Sequence, residues 1–222
     1  MNVHSACPTG RKMARGVQGQ KLPRSGILVA LQHEPGGKER ILATARTLFN
    51  LRGFHQTSMA ELASSAQVSV GQIYRLFKSK EDIISAIVEV DSIERRNEIA
   101  ALRNSLCIGE IGAEQAFEHL FRGALADHEE ALSFDILAEG FRSERVGETI
   151  AALCSDLRPW LRDFACAANP QLGEDSLGDA EELILACMFG FGHRSLARPK
   201  LSAEATAKGA ARMIVAALRE ID

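Results

Sequence analysis

Two serines eleven residues apart constrain this chain more than any other feature. Ser58-Met-Ala-Glu61 and Ser69-Val-Gly-Gln72 are capping boxes of the S-x-x-E and S-x-x-Q types. In such a box the hydroxyl and the side chain three residues later satisfy orphan backbone N–H groups at a helix start. Two starts this close leave room for one short helix from about 58 to 65, a tight turn at Gln67-Val68, and a second short helix over about 69–77. Apolar residues follow each box: Leu62, Ala63 and Ala66, then Ile73, Tyr74, Leu76 and Phe77. A longer helix precedes the pair, with Ile41, Leu42, Ala45, Leu48 and Phe49 on one face, and Gly53 ends it. Another follows, capped by Ser79-Lys-Glu-Asp82 and carrying Ile83, Ile84, Ile87 and Val88, with few breakers before Gly109. No strand pattern intervenes. Two short helices joined by a tight turn and held between flanking helices describe a helix-turn-helix.

Charge divides along the same line. Residues 1–85 hold 12 Lys+Arg and 5 Asp+Glu, whereas residues 86–222 hold 14 and 24, so a net charge of -3 conceals a basic front and an acidic rear. A basic front suits a polyanion, because cations on phosphates release condensed counterions. Residues 1–37 are rich in Gly, Ser, Pro and Gln without apolar periodicity, and carry Arg11, Lys12, Arg15, Lys21 and Arg24 against one acid, Glu34. They read as a disordered basic tail, or as an arm that grips DNA; Met13 offers an alternative start within it.

Other classes are excluded or disfavoured. The longest nearly unbroken apolar stretch, Leu183 to Gly192, falls well short of the roughly 20 residues of a membrane-spanning helix. The only early apolar run, Ile27 to Leu31, is too short for a secretory signal. Cys7, Cys107, Cys154, Cys166 and Cys187 contain no C-x-x-C pair, which fits a reducing cytoplasm and buried thiols rather than disulfides, zinc or a thiol sensor. His119 and His128 are too far apart to share a helix face, so no metal is expected. Without a Gly-rich phosphate loop, G-x-S-x-G or H-E-x-x-H, an enzyme is the least favoured reading, and no cofactor is expected.

The stretch from Arg40 to Val88 resembles the DNA-binding domain of the TetR family of bacterial transcriptional regulators. It carries in order A-x-x-L-F-x-x-x-G-F-x-x-T-S (Ala45 to Ser58), A-x-V-S-x-G-x-I-Y (Ala66 to Tyr74) and F-K-S-K-E-D (Phe77 to Asp82). The resemblance implies an all-α fold. An N-terminal helix-turn-helix domain, residues 38–85, precedes a helical ligand-binding and dimerisation domain, residues 86–222. The second short helix would enter the major groove, whose base edges carry a distinct pattern for each base pair. There Gln72 suits an adenine edge and Val70 a thymine methyl, beside Gly71. Thr57 and Tyr74 match positions of phosphate contact in the family, and Lys80 matches its lysine at the start of the fourth helix. Ser58, Ser69, Arg75 and Lys78 are additional backbone candidates. Two departures stand out: Gln67 occupies a turn position usually held by Gly, where a positive φ would cost about 1 kcal/mol, and Leu76 replaces a His or Tyr.

Beyond Ile108 the pattern predicts helices over 111–126, 129–142, 146–168, 178–197 and 203–220. The resemblance makes the last two a four-helix dimer interface, so that a two-fold dimer would read a palindromic operator with half-sites roughly 34–36 Å apart. Phe117, Phe121, Phe134, Phe141, Trp160, Phe164, Met188 and Phe189 are candidates to line a cavity for a small hydrophobic effector, though aromatic residues at helical spacing more often fill the core. Glu139 and Arg142 read as a surface salt bridge. The favoured function is a cytoplasmic, ligand-responsive, homodimeric repressor, nucleoid-associated when on DNA. The alternative is a DNA-binding adaptor whose C-terminal helices dock a protein.

Overall fold

The computed structural model describes residues 36–126 and 130–221, with side chains from 131 in the second stretch. The tail to Pro35, Cys7, Asp127 and His128 lie outside the described residues.

Among the described residues every regular element is helical. The order is α1 (Gly37–Arg52), α2 (Met59–Ser65), α3 (Val70–Leu76), α4 (Lys80–Cys107), α5 (Ala113–Ala124), α6 (Glu130–Arg142), α7 (Glu144–Ala168), α8 (Glu174–Gly192) and α9 (Ala203–Arg219), with a 3-10 turn at Arg194–Ala197 before α9. Ser58, Ser69 and Ser79 are N-caps, each hydroxyl accepting a backbone N–H three residues on. Gly53 closes α1 at φ 87°, a conformation glycine adopts without penalty.

The C-terminal boundaries shift from expectation for local reasons. Helix α5 begins at Ala113 because Gly112 is its N-cap, and α8 begins at Glu174 behind Gly173, so Gly178 lies inside it. The stretch predicted as one helix to 197 breaks at His193 and resumes as the 3-10 turn. Pro159 sits within α7, where it forgoes one helical hydrogen bond.

Two clusters of buried side chains organise the packing. The first gathers Ile41, Ala45 and Phe49 of α1, Phe54, Leu62 of α2, Ile73 of α3, Phe77, and Ile83, Ile84 and Ile87 of α4; Leu132 of α6 and Val146 of α7 complete it. The second joins Phe117 and Phe121 of α5, Leu161 and Phe164 of α7, Ile184 of α8, and Ala207, Ala211 and Val215 of α9, with Ile99 of α4. Helix α4 therefore belongs to both. At seven residues each, α2 and α3 are far below the roughly 12–15 residues at which an isolated helix becomes even marginally stable. They persist because both ends are tied and one face is buried in the first cluster.

Candidate nucleic-acid interface

The turn between α2 and α3 is built from backbone hydrogen bonds and one left-handed residue. Ala66 N–H donates to the Leu62 carbonyl and Val68 N–H to the Ala63 carbonyl at 3.0 Å, while Gln67 takes φ 55°. The positive φ anticipated at that position is thus present without glycine. From α1, Arg40 Nε donates to the Ala66 carbonyl at 3.2 Å and fixes the end of α2.

On α3, Ile73 and the C-cap Phe77 are buried, so the opposite face must point outward. Val70 and Tyr74, four apart on that face, are 53% and 51% exposed. Gly71 and Arg75 are exposed beside them. Gln72 is half-buried: its side-chain amide lies against Gly37 of α1, where an added Cβ would come within 2.5 Å of Gln72 Nε2. Ser58 and Ser69 are exposed, but their hydroxyls each accept a cap hydrogen bond at 3.1 Å.

Thr57 and Lys80 are placed differently. Thr57 is 1% exposed and its hydroxyl donates to the Gly53 carbonyl at 3.0 Å. The Lys80 ammonium donates to the Phe54 carbonyl at 2.6 Å and lies 4.4 Å from the Phe54 ring centroid, a cation–π contact. Both therefore hold the α1–α2 turn. Val70, Gly71, Tyr74 and Arg75 form one outward surface, with Gln72 at its α1 edge.

Spacing alone did not reveal what supports this turn from the far side. Asp135 Oδ2 of α6 accepts the Phe54 N–H at 2.8 Å, and His55 Nε2 lies 3.1 Å from Glu139 Oε1. Asp82, in the first turn of α4, pairs with Arg145 at 2.9 Å. These partners are separated by more than sixty residues, beyond any local signal. They also correct the surface role expected of Glu139. It pairs with Arg142 at 3.1 Å as foreseen, yet is only 4% exposed, because α6 packs its inner face against the turn.

The eight residues expected around an effector cavity separate. Phe117, Phe121 and Phe164 are wholly buried and pack on one another, with ring centroids 5.8–6.0 Å apart. Trp160 and Met188 pack against the same cluster, and Phe134 meets His193 edge-on at 4.6 Å. Phe189 is 40% exposed, and Phe141, at 95% exposed, points away from any cavity because it follows the last inward turn of α6. Three open clefts of about 590, 520 and 620 Å³ are lined mainly by other residues, and of the eight only Phe121 borders one. Between α7 and α8, Glu181 receives hydrogen bonds from Arg158 at 2.5 Å and Arg162 at 2.8 Å; these hold its carboxyl below the usual glutamate range. Burial raises the thiols of Cys154, Cys166 and Cys187, leaving little thiolate for chemistry.

Residues 41–87 match the family described as bacterial regulatory proteins, tetR family. The HTH-type transcriptional regulator UidR of Escherichia coli strain K12 is 32% identical over 114 residues, 49% of this chain and 54% of UidR. The chain thus spans about half the length of the curated relative it matches. Among solved structures, Salmonella enterica GusR superposes with a TM-score of 0.62 at 23% identity, covering 84% of this chain and 98% of GusR. A Saccharomonospora viridis protein solved in complex with choline superposes at 0.64 and 17% identity, covering 81% and 95%. These two likenesses are of fold. The helix-turn-helix motif, its capped geometry and the family match together make residues 41–87 a DNA-binding domain of the tetR family of bacterial regulatory proteins.

Proposed function

We infer that the chain is a ligand-responsive repressor that binds a palindromic operator as a homodimer. The DNA-binding part spans residues 38–85 and the regulatory and dimerisation part residues 86–222. The observation that carries the reading is the outward surface of α3, Val70, Gly71, Tyr74 and Arg75, backed by buried Ile73 and Phe77. That surface has no packing duty, fits a major groove, and offers Gln72 to an adenine edge and Val70 to a thymine methyl. Tyr74, Arg75, Ser58 and Ser69 serve the sugar–phosphate backbone. Lys80, whose ammonium donates to the Phe54 and His55 carbonyls, keeps a third N–H for a phosphate, whereas buried Thr57 serves the site only by holding the turn.

Dimerisation is supported by α8 and α9. Leu183 of α8, Leu201 in the connection before α9 and Met213 of α9 are exposed around a groove of about 520 Å³ whose small residues, Gly209, Ala210 and Ala217, permit close approach. A fold neighbour that holds choline supports a small-molecule effector. Its binding would favour a dimer geometry that no longer matches the groove, a coupling of about 1–3 kcal/mol. Selection of bound fragments from a random DNA pool at about 0.15 M salt tests the reading. A recovered palindrome is the expected result, and no enrichment by folded protein overturns it.

The adaptor reading is favoured by one observation, the packing of Phe117, Phe121 and Phe164 into solid core. Sedimentation separates the two. A homodimer that buries the α8–α9 face supports the repressor, whereas a monomer with that face open supports the adaptor.

A further inference from the structure

The four arginines of α4 and α5 divide into two pairs. Arg96 and Arg103 reach across to Asp156 and Asp163 of α7. Arg95 and Arg122 instead line an open cleft of about 590 Å³ between α4 and α5, together with His119. The floor of the cleft is apolar: Ile99 and Leu120 are 3% exposed, and Leu102 and Ile111 pack against the same core cluster. A space of this size, with an apolar floor under a few polar groups, has the make-up of a small-molecule site. None of its lining belongs to α8 or α9, so the face proposed for dimerisation leaves it open.

The polar groups around that floor favour an anion. Both carboxylates that line the cleft are engaged: Glu98 accepts from Arg95 at 3.2 Å, and Glu110 accepts from the Ser105 hydroxyl at 2.8 Å. Arg122 gives one N–H to Glu118, outside the lining, of the five that a guanidinium carries. His119, three residues earlier on the same face of α5, makes no hydrogen bond among the described residues. Arg95 spans from α4 to α5 because α5 makes room for it: a Cβ at Gly123 would collide with Arg95 Nη1. Two guanidiniums and an imidazole thus meet at one cleft, in a stretch, residues 86–222, that holds only 14 Lys+Arg against 24 Asp+Glu.

We propose that this cleft binds a small amphipathic carboxylate, its apolar tail on Ile99, Leu102, Ile111 and Leu120 and its head held by Arg95 and Arg122, with His119 beside them. A planar guanidinium offers paired N–H donors that match a carboxylate, and so tells it from an alcohol or an ammonium on the same tail. Such a ligand bridges α5 to α4, the helix that starts at Lys80 and enters both core clusters. Its action on DNA rests on the ligand-responsive reading above; its binding does not.

The test is isothermal titration calorimetry of the full chain with octanoate, octyltrimethylammonium and 1-octanol, which share one tail and differ in head. Octanoate is expected to bind best. Arg95→Gln and Arg122→Gln are each expected to weaken it by about tenfold or more, the loss of a charge-assisted hydrogen bond, at unchanged helix content by circular dichroism. Arg122 is exposed and makes its bond to Glu118, so its variant tests the site independently of the Arg95–Glu98 bridge. Octanoate that does not bind, that binds no better than the cation or the alcohol, or that binds both variants as it binds the unsubstituted chain overturns the proposal. Fluorescence anisotropy of a labelled duplex recovered by the selection above, with and without saturating octanoate, keeps the two readings apart. Octanoate held through Arg95 and Arg122 that leaves DNA affinity unchanged upholds the site and counts against ligand response through it.

Discussion

The helix-turn-helix and the C-terminal bundle hold their helices by opposite means. Helices α2 and α3 have seven residues each and start on hydroxyl caps; one face of each is buried in a cluster closed by α1 and α4. Helices α5 to α9 have 12 to 25 residues, and α5, α7 and α8 start at Gly112, Ser143 and Gly173 without a side-chain cap bond, although α9 does start on the Ser202 hydroxyl. They are held by long apolar stripes and by bridges such as Arg158–Glu181–Arg162. Short capped helices confine structural duty to a few positions, leaving Val70, Gly71, Tyr74 and Arg75 open to other work. In the bundle the aromatics are consumed by packing, which is why Phe117 and Phe164 line none of the three clefts and Phe121 only borders one.

The comparison breaks most visibly in the cores. Phe49→Ala and Phe164→Ala each remove a fully buried ring and should cost about 3–5 kcal/mol. Because Leu132 and Val146 belong to the first cluster and α4 to both, Phe49→Ala should also lower the urea midpoint reported by Trp160 fluorescence. A Trp160 transition that stays in place while circular dichroism shifts would show that the regions unfold separately.

On DNA, the expected division lies within the first region. Gln72→Ala should cost about 1–3 kcal/mol of discrimination at particular base pairs. Lys80→Ala should weaken binding to all sequences alike and reduce the salt slope by about 1. Competition binding with single-base operator variants checks this, and equal loss of sequence preference in both removes the distinction.

Caps give the next contrast. Ser69→Ala should destabilise by about 1 kcal/mol. Ser143→Ala, at an N-cap whose hydroxyl makes no cap bond, should stay within about 0.5 kcal/mol. Thermal melts of the two variants suffice, and similar losses would mean that the bundle relies on caps after all.

The smallest effect concerns pH. Glu181 titrates below its usual range because Arg158 and Arg162 donate to it, so its stabilising contribution is complete above the ordinary glutamate value of about 4.3 and disappears as pH falls through the lowered value. Glu181→Gln should lower Tm at neutral pH by roughly 2–4 °C and leave a shallower acid limb. A variant as acid-sensitive as the original would assign that limb to other carboxylates.

The same contrast explains what was legible beforehand. Caps at Ser58, Ser69 and Ser79 and the glycine at 53 are local, and each boundary they set falls within a residue of the observed one. The apolar spacing grouped Tyr74 and Leu76 with Ile73 and Phe77, yet only the last two are buried; the outward role of Val70 and Tyr74 came from the family resemblance. The grip of α6 on the α1–α2 turn was not legible, since nothing near Phe54 or His55 announces Asp135 or Glu139 some eighty residues away. Nor could periodicity tell a core phenylalanine from an exposed one at the end of a helix, as Phe141 shows.

Gln67, at φ 55° between α2 and α3, has an effect that no contact reports. A non-glycine residue held in the left-handed region costs about 1 kcal/mol, while a glycine there would bring greater freedom to the unfolded chain, costing roughly 0.5–1 kcal/mol. The two nearly cancel, so stability is indifferent to the exchange. Orientation is not: glutamine restricts the shapes the turn can take and presents α3 over a narrower cone of angles. On the operator-reading function proposed above, docking would then forfeit less orientational entropy on a site of matching pitch and tolerate mismatched spacing poorly, and the peptide unit at 67 would govern selectivity without touching a base.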